Sequence, residues 1–158
     1  MDARTAEKKT QSRRALFAER VAAETGVDET LISAQVRAFY AKARGDPLLG
    51  PVFERMVFDW EAHFGRMDAF WSSVLLMRGS YHGSPMARHQ VLPIGADHFD
   101  RWLALWDETA REVCPAPAAE LFATRARAIG ESLELGIAAS RGVLLGKGER
   151  LEMPHPTD

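Results

Sequence analysis

The sequence predicts an all-α protein, and three observations carry this prediction. Apolar side chains recur at the i, i+3, i+4 spacing of one helix face in successive segments of the chain. Aspartates suited to the N-cap position precede three of these segments, at Asp28, Asp59 and Asp97. No segment shows the sustained alternation of a strand, and no internal repeat is present. With 158 residues, the chain is expected to form one domain.

The first half of the chain is predicted to contain two helices and a turn. Residues 14–24 place Leu16, Phe17, Val21 and Ala22 on one face of a short helix that stops at Gly26. The helix that begins after Asp28 is expected to end near residues 44–45, because Pro47 disfavours helical backbone at the preceding residue. Its inward stripe consists of Leu31, Ile32, Gln35, Val36, Phe39 and Tyr40. Residues 45–53 hold two prolines and two glycines and are predicted to be a compact turn.

The second half is predicted to contain three long helices and one short one. The helix after Asp59 is expected to be the longest, reaching about residue 78. Residues 79–85 break it, and residues 85–90 can form one or two turns because Pro85 suits a first helical position. Asp97 is expected to cap a helix that reaches about residue 114, and the last helix is expected over residues 118–139. The inward stripe of the helix after Asp59 consists of Trp60, His63, Phe64, Met67, Phe70, Trp71, Val74 and Leu75.

Charge and composition narrow the class of protein. The formal net charge is −2, and no basic excess points to nucleic acid. No apolar run approaches the roughly 20 residues of a membrane span, and the charged first 14 residues do not read as a secretory signal. A single cysteine, Cys114, cannot form an internal disulfide and fits a reducing cytoplasm. We expect a flexible leader at residues 1–13, a helical domain at 14–140 and a flexible tail at 141–158.

Two histidines are candidates for chemistry. His63 shares the main stripe of its helix and should point into the core, either as a hydrogen-bonded core histidine or as a ligand. His89 lies in a short rigid segment, from which it can reach inward or remain exposed in a loop. His82 and His98 compete with it, but we expect both to face solvent.

Other common sites are missing from the sequence. There is no zinc-type Cys/His spacing, no nucleophile elbow, no P-loop and no dinucleotide-binding glycine pattern. We expect Cys114, at the C-terminal end of a helix, to be no nucleophile, because the helix dipole raises its pKa. Two separated histidines, many large aromatics and an inward Tyr40 instead suit a pocket for a flat apolar cofactor with one axial imidazole.

An ordered set of motifs makes the sequence more specific. Together, over residues 32–137, these motifs resemble the third group of truncated haemoglobins, in the globin superfamily. They are Ala38-Phe-Tyr-Ala-Lys-x-Arg44, Asp46-Pro-Leu-Leu-Gly-Pro-Val-Phe53, Trp60-Glu-x-His63, Phe70-Trp-Ser-Ser-Val74, Tyr81-His-Gly-x-Pro85-Met, Arg88-His89 and His98-Phe-x-Arg-Trp-Leu103.

The resemblance implies a two-over-two helical sandwich around haem b. It implies that His89 is the proximal ligand of the iron and that Tyr40, His63 and Trp102 lie on the distal side. His63 could act as a gate, donate to the bound ligand or bind the iron itself. Residues that match the haem-contacting positions, or follow His63 by one or two turns, are expected to line the pocket, and Arg88 is expected to reach a haem propionate. The complete cofactor-binding set is Phe53, His63, Met67, Phe70, Arg88, His89 and Trp102.

The function implied is binding of O2 and other small ligands such as NO, CO or cyanide. Hydrogen-bond donors on the distal side favour slow release of O2, so redox or detoxification chemistry is favoured over bulk transport. Peroxidase-like or NO dioxygenase activity would need a separate reductase, because the sequence shows no flavin or nicotinamide motif. The alternative is a haem-free helical interaction protein that keeps the globin shape, with its pocket filled by its own side chains and His89 dispensable.

Overall fold

Seven helices form in the computed structural model of the chain, which describes residues 2–79 and 81–154. No strand occurs within these residues, so the predicted all-α class is confirmed. In chain order the helices are α1 (Ala3–Thr25), α2 (Glu29–Ala43), α3 (Gly50–Met56), α4 (Trp60–Leu76), α5 (Pro85–His89), α6 (Ala96–Val113) and α7 (Ala116–Ser140).

Four of the helices form two packed pairs. Helix α2 packs against α4, helix α6 packs against α7, and α2 also contacts α6, which joins one pair to the other. This arrangement is the two-over-two sandwich that the resemblance implied. The main core lies between the pairs, around Phe39, Trp71, Trp106 and Phe122. A smaller second cluster contains Ile94, Phe99, Leu133, Ile137 and Leu151.

The N-terminal helix corrects the expected flexible leader. Helix α1 begins at Ala3, where the Asp2 side chain accepts a hydrogen bond from the Arg4 N–H, and it ends at the left-handed Gly26 (φ 83°). Its 23 residues contain no Gly or Pro and are rich in the helix formers Ala, Arg, Glu and Lys, which explains the extra turns. Leu16, expected to face inward, is 62% exposed, because only the C-terminal part of α1 reaches the core.

The predicted compact turn contains a helix that the sequence analysis missed. Asp46 shapes the turn by accepting hydrogen bonds from the Leu48 and Leu49 N–H groups and from Arg101 Nε at 2.7 Å. Gly50 then begins α3, and a Cβ on this residue would lie 2.7 Å from the carbonyl oxygen of Arg44, so only glycine fits there. Helix α3 begins directly after this turn and contains Phe53.

The later helices match the predictions in number, with three differences. The helix after Asp59, α4, ends at Leu76 rather than near residue 78. It was expected to be the longest helix but has 17 residues, whereas α7 has 25. Helix α6 has Gly95 as its N-cap and begins before Asp97, because the Nδ1 atom of His98 accepts the Gly95 N–H at 3.1 Å. The expectation that His98 faces solvent is therefore wrong, since this ring is 9% exposed.

The C-terminal segment also differs from the flexible tail that was expected. Residues 141–154 have no helix but fold back over the start of α6, and Leu151 is 5% exposed. The remainder of the expected tail, residues 155–158, and residue 1 of the expected leader lie outside the described residues. In the part of the chain that is described, none of the helices has the length and apolar character to cross a membrane.

Candidate functional site

A cavity of about 680 Å³ lies inside the helical sandwich. Its volume is within the roughly 300–1,000 Å³ typical of cofactor and small-molecule sites. Helices α2, α3, α4, α5, α6 and α7 all contribute side chains to its wall. Every site residue singled out in the sequence analysis lines it, namely Tyr40, Phe53, His63, Met67, Phe70, Arg88, His89 and Trp102.

His89 is presented to the cavity by the shortest helix. Ser84 caps α5 and Pro85 occupies its first position, so five residues suffice to form a rigid support. The Nδ1 atom of His89 lies 2.6 Å from the carbonyl oxygen of Pro85. A carbonyl can only accept, so the proton is on Nδ1 and the lone pair of Nε2 is available to a metal.

The electrostatics of His89 agree with this assignment. Burial lowers the pKa of its imidazole below the usual value, and the hydrogen bond to Pro85 offsets only part of the effect. The ring is therefore neutral at neutral pH, which is the form that binds metal ions. A backbone carbonyl on the other nitrogen is the arrangement that commonly orients metal-ligating histidines.

A second polar pair enters the cavity from α2 and α4. The Tyr40 hydroxyl oxygen lies 2.8 Å from the Nε2 atom of His63. Burial raises the pKa of Tyr40, whereas burial and the nearby charge of Arg66 lower the pKa of His63 to about 4. Both side chains are therefore neutral at neutral pH. The hydroxyl proton of Tyr40 and the imidazole proton of His63 can each be donated within the pair or to a bound ligand.

Aromatic rings fix the position of Tyr40. Its ring makes edge contacts with Phe39, Phe53 and Trp60 at centroid distances of 5.0, 5.2 and 5.4 Å. Such contacts each add to the energy of burial. With 6% of its surface exposed, Tyr40 has little freedom, and its hydroxyl is held in the cavity wall beside His63.

Three tryptophans form a stack behind the cavity. Trp102 lies over Trp106 at 6.2 Å with 24° between the planes, and Trp106 lies over Trp71 at 4.6 Å with 16° between them. All three line the cavity. The buried Nε1 atom of Trp106 has no hydrogen-bond partner among the described residues, so a donor next to the cavity is unsatisfied.

Comparison with known proteins agrees with this architecture. No protein-family model matches the sequence. The group 3 truncated haemoglobin ctb of Campylobacter jejuni is 28% identical over 113 residues, which cover 68% of this chain and 89% of that protein. The crystal structure of the group III truncated haemoglobin from C. jejuni superposes with a TM-score of 0.65 and 26% identity, covering 78% of this chain and 95% of the other.

In sequence and fold the chain is similar to the group 3 truncated haemoglobins. A thermostable haemoglobin from the actinobacterium Thermobifida fusca has the same fold, with a TM-score of 0.61, 22% identity, and coverage of 74% of this chain and 94% of that chain. The resemblance stated from the motifs is thereby confirmed. These similarities concern the sequence and the fold as a whole and assign no role to an individual residue.

The cavity also includes residues that sequence reasoning did not select. His98 and Tyr81 line the wall, and Arg66 lines it together with the exposed Arg88. His82 is exposed, as expected, yet it also borders the cavity. The position of His98, three residues after a glycine N-cap, is the one signal that could have identified it, because a side chain there can turn back to the cap N–H.

Proposed function

We propose that this chain binds haem b in the 680 Å³ cavity, with Nε2 of His89 as the axial ligand of the iron. The observation that carries the proposal is the 2.6 Å contact between His89 Nδ1 and the Pro85 carbonyl, which directs a neutral imidazole lone pair away from that carbonyl. Non-covalent binding is supported by the sequence, because one cysteine cannot supply the C-x-x-C-H pattern of covalent haem attachment.

We further propose that a small ligand such as O2, NO, CO or cyanide binds beside Tyr40, His63 and Trp102. Haem supplies reversible binding of such ligands together with one-electron chemistry. The Tyr40 hydroxyl and the Trp102 indole N–H are donors, and a donor in an apolar wall stabilises partial negative charge on a guest. His63 shares a proton with Tyr40 and so controls whether the hydroxyl donates to the imidazole or to the ligand.

The apolar part of the wall excludes water. Phe53, Met67, Phe70 and Trp71 supply large uncharged surfaces around the polar groups. The exposed guanidinium of Arg88 borders the cavity, where it can reach a haem propionate. Several donors around one ligand favour slow release, so we propose redox or detoxification chemistry, with electrons from a separate reductase, rather than bulk O2 transport.

The test is the visible spectrum of the purified chain, recorded ferric, reduced, and reduced with CO. We expect a Soret band that shifts with CO, and we expect His89→Gly to lose it or change it, with recovery of the original spectrum when imidazole is added. His82→Gly is the matched control, because His82 borders the same cavity but is exposed. A chain that takes up no hemin would refute the proposal and favour the haem-free interaction protein. A His89→Gly variant with an unchanged spectrum would remove His89 from the iron.

A further inference from the structure

The segment after α7 folds against the part of the molecule that carries His89. Residues 141–154, here called the C-terminal strap, contain no helix and lie outside the stretch that resembles the truncated haemoglobins. Three anchors hold the strap against residues 92–100, which follow His89 in the chain. One anchor is a guanidinium, one is a buried carboxylate and one is an apolar side chain.

The first anchor is Arg141. Its Nη2 atom donates to the carbonyl of Leu92 at 3.0 Å, and its Nη1 atom donates to the carbonyls of Ile94 and Glu152 at 3.1 and 3.0 Å. Hydrogen bonds from a charged donor are roughly twice as strong as neutral ones. Arg141 therefore joins the end of α7, the strap and the backbone that leads from α5 to α6.

Two hydrogen bonds through Leu92 link Arg141 to the backbone of His89. The carbonyl of Leu92 accepts from Arg141, and the N–H of Leu92 donates to the carbonyl of His89 at 3.0 Å. The ring of His89 then donates to Pro85. Both the backbone and the side chain of His89 are thus fixed, the backbone through a residue that the strap holds.

The second anchor is Glu134 on α7, which is 8% exposed. Its two carboxylate oxygens accept from Arg150 at 2.7 and 3.1 Å, and Oε1 also accepts the N–H of Leu151 at 2.9 Å. Arg150 also binds Asp100 of α6 at 2.8 Å. The Leu151 carbonyl in turn accepts the N–H of Ala96 at 2.8 Å, which satisfies a free donor in the first turn of α6.

The third anchor is the side chain of Leu151. It packs in the second core cluster with Ile94, Phe99 and Leu133, and these three residues also line the cavity. Gly95 permits the close approach, because a Cβ there would lie 3.1 Å from the backbone nitrogen of Met153 and 3.3 Å from the carbonyl oxygen of Leu151. The strap therefore packs directly against residues of the cavity wall.

We propose that the C-terminal strap positions His89, with Arg141 as the principal positioning residue. The strap holds the α5–α6 connection and thereby fixes the position and orientation of the His89 imidazole in the cavity. This support slows the dissociation of haem. The proposal rests on the proposed function, since it assigns the strap to the same histidine. A strap that served stability alone would leave the bond between His89 and the iron unchanged.

The test compares Arg141→Met with Arg127→Met in the full chain. Arg127 is the matched control, because it is an arginine of α7 whose polar contacts in the described part of the chain are exposed, namely a 3.8 Å ion pair with Glu120 and a 3.3 Å hydrogen bond to the Thr124 hydroxyl. Three readouts are needed: hydrogen exchange of residues 85–96, the rate of haem transfer to an apoglobin acceptor, and the iron–imidazole stretching band of the reduced protein. Arg141→Lys should restore only part of each, because a single ammonium nitrogen cannot reproduce the planar fork of the guanidinium.

We expect Arg141→Met to speed exchange over residues 85–96, to shift or broaden the iron–imidazole band, and to accelerate haem transfer roughly tenfold. That factor is the lower end of the 10–100-fold effects typical of groups that orient a metal-ligating histidine. Arg127→Met should change none of these readouts. If Arg141→Met lowers the unfolding midpoint but leaves the band and the haem transfer rate unchanged, the strap is only structural and the proposal is wrong.

A second pair of variants guards against misfolding and separates the two proposals. Leu151→Ala should act as Arg141→Met does, whereas Leu144→Ala, in the same segment and at a site that is 88% exposed, should have no effect. Hydrogen exchange needs no haem. Faster exchange over residues 85–96 in a chain that binds no hemin would overturn the proposed function while keeping the strap as the support of α5. Unchanged exchange in a chain that does bind haem would overturn the strap alone.

Discussion

The replacement Tyr40→Phe isolates one hydrogen bond in the cavity. It removes the hydroxyl that lies 2.8 Å from His63 Nε2 and keeps the ring that contacts Phe39, Phe53 and Trp60. The volume lost is a single oxygen atom, so repacking of the aromatic cluster contributes little. Any change in stability therefore reports the Tyr40–His63 interaction.

The exposure of the two partners sets the expected magnitude. Tyr40 is 6% exposed, whereas His63 is half-buried and can be hydrated again in the variant. The cost should therefore lie near the net value of one hydrogen bond, about 1 kcal/mol, rather than the roughly 3 kcal/mol of a stranded buried group. A double-mutant cycle with His63→Phe should give a coupling energy of about 0.5–1.5 kcal/mol.

The assay is urea unfolding of the wild type, the two single variants and the double variant at pH 7, each prepared without haem. Equal m-values are required for the free energies of unfolding to be compared. Tyr81→Phe is the control, because Tyr81 is the other tyrosine of the chain and also lines the cavity. If the two single changes add to within about 0.3 kcal/mol, the hydroxyl and the imidazole do not interact and the assignment of the pair is refuted.

Two further predictions concern the ligand and the pH. Trp102→Phe removes an indole donor and should speed O2 dissociation about fivefold, the equivalent of about 1 kcal/mol, in stopped-flow displacement by CO; an unchanged rate would show that Trp102 only fills space. The pKa of His63, about 4 in the folded chain, lies below its usual 6.5, so stability is complete above pH 6.5 and is lost as the pH falls towards 4. Two pH units correspond to at most about 2.7 kcal/mol, and solvent screening of the half-exposed ring reduces the expected loss to about 1 kcal/mol. His63→Phe should lose that much less stability between pH 6.5 and 4.5 in urea unfolding, and parallel curves for the two proteins would contradict the shift.

The candidate site was predictable from the sequence where one helix face or one rigid segment decided the direction of a side chain. His63 and Tyr40 share stripes with apolar residues, so helical periodicity alone directs them to the core. His89 required a different argument, because a segment of five residues has no long face. The residues alone left its direction open, and the proximal role came from the resemblance of the neighbouring motifs.

The features that the sequence did not reveal depend on contacts between distant parts of the chain. The C-terminal strap contains glycines and charges, which are typical of a mobile tail, yet Glu134 lies on the preceding helix and binds both Arg150 and the backbone of Leu151. No local pattern reports such a partner. The first half of helix α1, residues 3–13, was missed for the opposite reason, because it is exposed, has no apolar stripe and depends on the helix propensity of its residues.

The two polar sides of the cavity differ in how firmly they are held. His89 is fixed at its ring by Pro85 and at its backbone by Leu92, which Arg141 binds. His63 is half-buried, and its ring has the Tyr40 hydroxyl as its hydrogen-bond partner. Rotation of His63 breaks one hydrogen bond of about 1 kcal/mol, whereas displacement of His89 disturbs several. We therefore expect motion that admits a ligand to occur at His63, so that Tyr40→Phe should raise the rate of CO association and Arg141→Met should leave that rate nearly unchanged while accelerating the loss of haem.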